Sequence, residues 1–299
     1  MVSSVQSRAF SLRGVLLLAL AACAFSVSTV FAKYANQRYG IPGVEIVFVR
    51  FVVGLLVATS CMVYRGQSFR PRNPRLVLLR AATNTAAVLL FFTGIQYTTV
   101  TNANTLSMTY PLFVAVMAPL LNRERSRPRV YLFLVVTMVG AYLVISPEFR
   151  GVNLGDLSAL LSGLVAGVAI SSLREARKYD DTALILFYLM ALGTPLCLVL
   201  MLPFFVLPSA GACGLMLLSA VCAVGGQFSL TAGYRHIDAA RGAIVTAMRI
   251  PVAAVLGITL FADPLDARMA LGAVLILGSL IGLGCRPSPA AVPEPAQSD

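Results

Sequence analysis

Ten apolar stretches of about twenty residues, separated by short polar joints, dominate this chain of 299 residues. A helix needs about 20 mostly apolar residues to cross a bilayer, and backbone groups inside the hydrocarbon core must be hydrogen-bonded within their own segment. Apolar residues make up 58% of the chain and charged residues 12%, which excludes an ordinary soluble domain. The sequence therefore predicts an all-α membrane protein with ten transmembrane helices, over residues 13–32, 43–63, 75–96, 102–121, 129–146, 155–173, 183–206, 211–233, 239–261 and 268–285.

The second half of the chain repeats the first. When residues 74–146 are laid on residues 214–286, an offset of 140 residues, Pro111 coincides with Pro251 and the hydropathy contour recurs. Weaker correspondence adds two more spans to each copy, so that each unit contains five spans. An odd number of crossings turns the second unit upside down, which is the inverted-repeat plan of many secondary transporters.

The loop charges agree with an inverted second unit. Four arginines within 123–129 follow the fourth span, whereas the corresponding part of the second copy carries Asp263, Asp266 and Arg268. Because Lys and Arg collect in cytoplasmic loops, we expect equivalent loops on opposite sides of the membrane and both termini in the cytoplasm. The same rule accounts for the net charge of +11 without a nucleic-acid partner, and it places Arg80 at the cytoplasmic boundary.

The spans, joints and ends divide the chain into five segments. The last stretch of the chain, from Pro287 onward, is rich in proline and carries no apolar periodicity, which favours disorder. The expected segments are a cytoplasmic N-terminus (1–12), a first five-helix repeat (13–146), an external linker (147–154), a second, inverted repeat (155–285) and a disordered cytoplasmic tail (286–299).

Pro111 and Pro251 interrupt spans four and nine at matching positions. A proline within a helix removes one backbone hydrogen bond and bends the helix. Matched interruptions in the two halves of a carrier point to a binding site near the bilayer midplane. We therefore predict that both prolines act as hinges, and the alternative is that they are packing kinks without substrate contact.

Arg249 stands beside the second of these prolines, well inside span nine, where the first copy has Thr109. A cation at that depth is costly unless it is paired or faces water. We therefore predict that Arg249 binds the anionic end of a substrate. The alternative is a structural role, in which the guanidinium pairs with carbonyls freed near Pro251 or with a carboxylate.

Further polar side chains within the spans are expected to complete the lining of a central cavity. Such groups bind either a substrate or a neighbouring helix, and together they suit a molecule with both apolar and hydrogen-bonding parts. The predicted lining consists of Arg249, Thr109, Tyr110, Asn84, Gln227, Tyr188, Arg50 and Asn104.

Glu45, in the outer half of span two, has two interpretations. It is either a carboxylate that couples transport to protons or an interfacial residue in contact with Lys33 or Arg38. Enzyme chemistry has little basis in this sequence, because the chain has one histidine and no catalytic grouping, metal-spaced cluster or phosphate loop. We expect no enzyme activity, no cofactor and no metal site.

Several motifs match one family of carriers. They are the doubled five-span unit, the run Phe48-Val49-Arg50-Phe51, the turn 98–103 that leads to Tyr110-Pro111, and the exit Asn122-Arg123-Glu124-Arg125. In these features the chain resembles the ten-helix EamA-type transporters of the drug/metabolite transporter superfamily. The resemblance implies a bacterial inner-membrane carrier with a central cavity, surrounded by spans one to four and six to nine.

The resemblance and Arg249 together predict a secondary transporter that works by alternating access. We expect it to export a small amino-acid-like or carboxylated metabolite, including metal-chelating amino-acid derivatives. One alternative is an importer of a vitamin or nucleoside-like solute of the riboflavin or S-adenosylmethionine type, and another is a membrane scaffold or enzyme. The expected partners are a small-molecule substrate and the lipid bilayer, with no nucleic acid, and a monomer or a homodimer fits equally.

Overall fold

The computed structural model describes residues 11–98, 100–124, 127–145, 153–261 and 266–284. Almost all of the expected N-terminal segment, most of the linker and the C-terminal tail lie outside these described residues. Every regular element within the described ranges is helical. The α-helices are α1 (Leu12–Tyr39), α2 (Gly43–Tyr64), α3 (Pro74–Tyr97), α4 (Val100–Ser107), α5 (Tyr110–Met117), α6 (Pro128–Ile145), α7 (Leu154–Ala176), α8 (Thr182–Met201), α9 (Ala210–Gly233), α10 (Ala239–Thr246), α11 (Arg249–Phe261) and α12 (Ala267–Gly284).

Helix lengths and composition confirm the prediction of an all-α membrane protein. Among the described residues, nine helical stretches are long and apolar enough to cross a bilayer, and Ala267–Leu283 forms a slightly shorter apolar helix. Span four consists of α4 and α5, continued by a π-helical turn over Ala118–Asn122. Span nine consists of α10 and α11. The other spans each correspond to one α-helix.

The closest helix contacts join the two halves of the chain. The most extensive contacts join α3 to α7 and α1 to α9, which are spans three with six and one with eight. Each of these pairs is the counterpart of the other under the repeat. The next most extensive contacts join α6 to α12 and α2 to α8, so that each of these spans meets its own counterpart. An inverted repeat related by a pseudo-twofold axis produces this pattern.

Glycines lie where α3 crosses α7 and where α1 crosses α9. Gly155 at the start of α7 packs against the backbone of Gly94 near the end of α3. Gly233 at the end of α9 packs against Leu18 and lies close to the backbone of Gly14 at the start of α1. Small residues let two helices approach closely. The two crossings lie at opposite ends of the bundle, as expected for an inverted pair.

The end of the bundle at which α1 begins carries the arginine-rich loops, and we call it the basic end. The loop between α2 and α3 is tied there to the loop between α7 and α8. The backbone N–H groups of Arg72 and Asn73 donate to the two carboxylate oxygens of Asp180, at 2.6 and 3.1 Å. At the opposite end, the hydroxyl of Tyr34 on α1 donates to the carbonyl of Leu260 on α11 at 3.4 Å.

The Gly94–Gly155 crossing makes a prediction about stability. A side chain at Gly155 would overlap backbone atoms of Gly94, Tyr97 and Thr98, at the end of α3 and just after it. Backbone atoms cannot move aside as easily as a flexible side chain. We expect Gly155→Val to lower the free energy of unfolding by roughly 1–3 kcal/mol, read as a lower melting temperature in detergent. Gly214 on α9 has open space around it, so Gly214→Val is the control. Equal melting temperatures for the two variants would contradict the proposed crossing.

Candidate functional site

A cavity of about 390 Å³ lies between the two halves of the bundle. Its walls come from α1, α2, α3, α7, α8 and α9 and from both broken spans, whereas α6 and α12 contribute none of the described lining residues. The arrangement around the cavity is the one that the family resemblance implies. A volume of this size suits a small organic molecule.

Both broken spans are interrupted beside the cavity at equivalent positions. Helix α4 ends at Ser107 and α5 begins at Tyr110, whereas α10 ends at Thr246 and α11 begins at Arg249. Pro111 and Pro251 follow these gaps directly. Each proline lacks an N–H group, and its ring crowds the carbonyl four residues earlier. The matched prolines therefore explain why the two helices break at matched places.

Each break is covered by the first helix of the other half. Gly163 on α7 lies against the carbonyls of Leu106 and Ser107. In the second half, the hydroxyl of Ser26 on α1 donates to the carbonyl of Arg249 at 3.1 Å. Irregular backbone at membrane depth persists only where protein covers it or where it lines a cavity. These contacts supply the protein cover that both breaks require.

Three arginines line the cavity, and none of the described lining residues is acidic. The guanidinium of Arg50 donates to Oε1 of Gln227 at 3.2 Å and lies 5.2 Å from the centre of the Phe25 ring. The guanidinium of Arg249 contacts the sulfur of Met108. Arg80 is the third, and only 2% of its surface is exposed. The cavity is therefore cationic, with amide, aromatic and thioether groups next to its charges.

The structure brings six of the eight predicted lining residues together. Tyr110 also links the two broken spans, because its hydroxyl is hydrogen-bonded to that of Thr246 at 2.8 Å. Tyr110 begins α5 and Thr246 ends α10, so this bond joins the two broken spans at their breaks. The predicted residues that line the cavity are Arg50, Asn84, Asn104, Tyr110, Gln227 and Arg249.

The other two predicted residues lie elsewhere. The hydroxyl of Thr109 donates to the carbonyl of Leu106 at 2.6 Å, and the residue faces a separate crevice against α6. The hydroxyl of Tyr188 donates to the carbonyl of Phe69 at 3.0 Å, in the loop between α2 and α3. Both hydroxyls therefore satisfy backbone carbonyls outside the central cavity, and the structure does not bring them to a substrate.

Glu45 also lies outside the cavity lining. It is 2% exposed, and its Oε2 accepts the backbone N–H of Val206 at 3.2 Å. The ammonium of Lys33 lies 3.8 Å from the centre of the Phe261 ring. The contact of Glu45 that the structure shows therefore fixes the segment after α8. Proton coupling through this carboxylate stays a prediction.

Sequence reasoning did not single out Arg80. The rule that Lys and Arg collect in cytoplasmic loops placed this arginine at the membrane boundary. The structure instead buries it in the cavity wall. Helical spacing offers a signal, because the α3 residues that line the cavity are spaced at 80, 84, 87, 88 and 91. Residues separated by three, four or seven positions share one face of a helix. Arg80 thus belongs to the same face as Asn84.

A second group that sequence reasoning missed ties the basic end together. Nε of Arg174, near the end of α7, donates to Oε1 of Glu124 at 2.8 Å. Nη1 of Arg174 donates to the carbonyls of Tyr234 and Arg235, at 2.9 and 3.1 Å. Oε2 of Glu124 accepts the backbone N–H of Ala239, which begins α10, at 3.0 Å. One carboxylate therefore joins the end of span four to α7 and to the start of span nine.

The burial of this group affects its protonation. Burial raises the pKa of Glu124 above its ordinary value, because it outweighs the attraction of the Arg174 cation and the N–H of Ala239. The closed network therefore holds a proton more tightly than a hydrated glutamate does, so that acidification favours this arrangement over one in which Glu124 is exposed to water. Burial, and then the nearby Arg235, lower the pKa of Arg177 to about 10, which leaves Arg177 protonated at neutral pH.

Comparison with known proteins decides the family. The sequence pattern of the EamA-like transporter family matches this chain twice, over residues 12–146 and 153–285. The chain belongs to this family. A crystal structure with 15% sequence identity superposes with a TM-score of 0.78, covering 91% of this chain and 96% of that chain, which supports the fold. The two matches agree with two repeats in one all-α membrane protein.

The relatives of this chain are transporters. It is 29% identical over 272 residues to the pseudopaline exporter CntI of Pseudomonas aeruginosa, covering 90% of this chain and 95% of the relative. It is 27% identical to a riboflavin transporter of Brucella anthropi, covering 88% and 96%. It is 26% identical to solute carrier family 35 member G1 of Mus musculus, covering 91% and 78%. The chain is accordingly a transporter and not an enzyme.

The network at the basic end makes a prediction about access to the cavity. We expect Glu124→Ala to open this end, because the variant removes both acceptors and leaves the buried charge of Arg174 without a carboxylate and the N–H of Ala239 without an acceptor. The measurement is the rate at which an impermeant maleimide, added on the basic side, labels a cysteine at Ser107 in a variant without the six native cysteines. The rate should rise about tenfold or more.

Two controls accompany this measurement. Glu124→Gln keeps one of the two oxygen acceptors and replaces the other with an NH2 donor, so it should label at a rate between those of the original protein and Glu124→Ala. Lys178 forms an ion pair of 2.5 Å with Glu175 on one face of the same helix end, and Lys178→Gln should have no effect, because exposed pairs contribute little. An unchanged labelling rate in Glu124→Ala would show that this network does not control access.

Proposed function

We propose that this protein exports a small carboxylated or amino-acid-like metabolite across the bacterial inner membrane by alternating access. Metal-chelating amino-acid derivatives belong to this class. The observation that carries the proposal is the set of three arginines in a cavity whose described lining contains no carboxylate. A cavity of this charge selects against cations and holds an anion between the halves.

Arg249 has the central role in the proposal. It lies ten residues into span nine, about 15 Å from the basic end, and an arginine at that depth needs an anion, water or polar groups around it. Its contact on the opposing span is the sulfur of Met108, which is only a weak acceptor. A substrate carboxylate would give the guanidinium a strong, charge-assisted partner.

The remainder of the lining suits the body of an amino-acid-like molecule. Asn84, Asn104 and Gln227 offer amide groups, which both donate and accept hydrogen bonds. Phe25 and Phe51 offer apolar surface on neighbouring walls. A site with a few convergent polar groups on apolar walls fixes the orientation of a small ligand. The same lining therefore accepts an amine or hydroxyl beside the carboxylate.

The direction and the orientation of the chain rest on two supports. One similar protein is named a pseudopaline exporter, which favours efflux. The basic end carries most of the arginines in the loops, and such residues collect on the cytoplasmic side. We therefore place the basic end and both termini in the cytoplasm. Pro111 and Pro251 act in this scheme as the hinges at which spans four and nine bend.

Import of a vitamin is the second candidate function. Two similar proteins are named riboflavin transporters, and the aromatic walls of the cavity would also accept a flat ring system. The two candidates differ in the side of the membrane on which solute accumulates. Carboxylated solute in the medium of cells that express the protein supports export, whereas a vitamin retained inside those cells supports import.

The test compares cells that lack the protein with cells that express it or its variants. Mass spectrometry of cells and medium should show a carboxylated metabolite that moves to the medium only when the protein is present. Arg249→Ala should reduce this export at least about tenfold, since a hydrogen bond between charged groups contributes about 1.5–3 kcal/mol. Arg249→Lys should retain part of it.

Arg268 provides the matched control. It is an arginine of the same half, exposed at the start of α12, and Arg268→Ala should export as the original protein does. Normal export of a carboxylated solute by both Arg249 variants would refute the anion site. Loss of export in Arg268→Ala to the same degree would show that the effect reflects total charge.

A further inference from the structure

Arg80 is a buried cation that the proposed carboxylate at Arg249 does not use. It is 2% exposed, it lines the central cavity, and its Nε has no hydrogen-bond partner. Nε of Arg50 in the same cavity also lacks one. Guanidinium groups carry five N–H donors each, and a buried donor without an acceptor is unfavourable. The cavity therefore holds donors and positive charge in excess of what the described protein groups satisfy.

The three arginines lie at different depths along the cavity. Arg80 is six residues into α3, about 9 Å from the basic end, whereas Arg249 is ten residues into span nine, about 15 Å from that end. Arg50 is seven residues into α2, about 10 Å from the opposite end. In a hydrocarbon core about 30 Å thick, the charges therefore form a staggered series from the basic end to beyond the middle.

A series of charges spread along the cavity in this way suits a ligand with more than one anionic group. Arg249 and Arg50 both lie near the middle of the hydrocarbon core, Arg249 on its basic side and Arg50 on the opposite side. One anionic group can lie between them. Arg80 lies about one helical turn nearer the basic end, on the face of α3 that it shares with Asn84. A charge separated by that distance in a low-dielectric cavity is compensated best by a second anionic group of the same ligand.

We propose that the substrate carries at least two anionic groups, one held between Arg50 and Arg249 and the other by Arg80. This inference rests on the proposed anion site at Arg249 and extends it to a second subsite. Asn84, one turn from Arg80, then lies beside the segment that joins the two anionic groups. Arg80 is thus the residue that distinguishes dicarboxylates and tricarboxylates from monocarboxylates.

The experiment measures binding of paired probes to the full chain in lipid nanodiscs by calorimetry at constant pH and ionic strength. The probes are the linear dicarboxylates glutarate, adipate, pimelate and suberate, each compared with the monocarboxylate of the same chain length. At least one dicarboxylate should bind roughly tenfold or more tightly than its partner. Arg80→Gln should remove most of this difference, because it should lower the affinity of the dicarboxylate much more than that of the monocarboxylate.

Two further variants separate this subsite from a general effect. Arg80→Lys keeps the charge and should retain a measurable preference for the dicarboxylate, whereas Arg268→Gln removes an exposed arginine and should leave the preference intact. The unmodified protein already tests the inference if Arg80→Gln fails to fold. Equal affinity for both members of every pair in that protein would overturn the second subsite.

The outcomes also separate the inference from the function on which it rests. Equal binding of monocarboxylates and dicarboxylates that is lost in Arg249→Ala would overturn the second subsite and support the first. Binding that does not change in Arg249→Ala, or no binding of any carboxylate, would overturn the proposed anion site itself. A preference for dicarboxylates that persists in Arg80→Gln would assign the second anionic group to another residue and overturn the role of Arg80.

Discussion

A helix that breaks inside a membrane must be covered by protein, and that requirement governs how the two halves of this chain pack. Pro111 and Pro251 interrupt spans four and nine at equivalent places. The freed backbone is covered by α7 on one side, through Gly163, and by α1 on the other, through Ser26. Because each covering helix comes from the opposite half, neither repeat is complete without the other. The central cavity lies between these two contacts.

Charge inside the cavity follows from the same arrangement. An arginine facing lipid at these depths would be strongly unfavourable, but Arg50, Arg80 and Arg249 face a cavity whose apolar walls also carry several polar groups. The repeat places no cation opposite Arg249, since the first copy has Thr109 there, so the charge distribution is not symmetric. The fold is thus nearly twofold in its backbone contacts and asymmetric in its chemistry, which lets one scaffold present a specific site.

The sequence was sufficient for the parts that depend on local physics. Apolar length predicted the spans, the repeat predicted two halves of five spans each, and proline predicted the interruption beside Arg249. The sequence could not predict which way a side chain points at a helix break. Helix α4 ends at Ser107, so helical spacing does not continue across the break, and Thr109 points away from the cavity. Arg80 was grouped with boundary residues because distance from a loop says nothing about which face of α3 it occupies. The link between Glu124 and Arg174 joins residues that are 50 positions apart, and no local pattern indicates it.

The central claim is that the cavity holds an anion. Its most direct measurement uses metabolites extracted from the cells in which the transporter works, separated by anion-exchange chromatography, and tests each fraction for a rise in the melting temperature of the purified protein. The stabilising activity should elute with the multiply charged anions and should vanish with Arg249→Ala. Stabilisation by neutral or cationic fractions, unaffected by that substitution, would contradict the account.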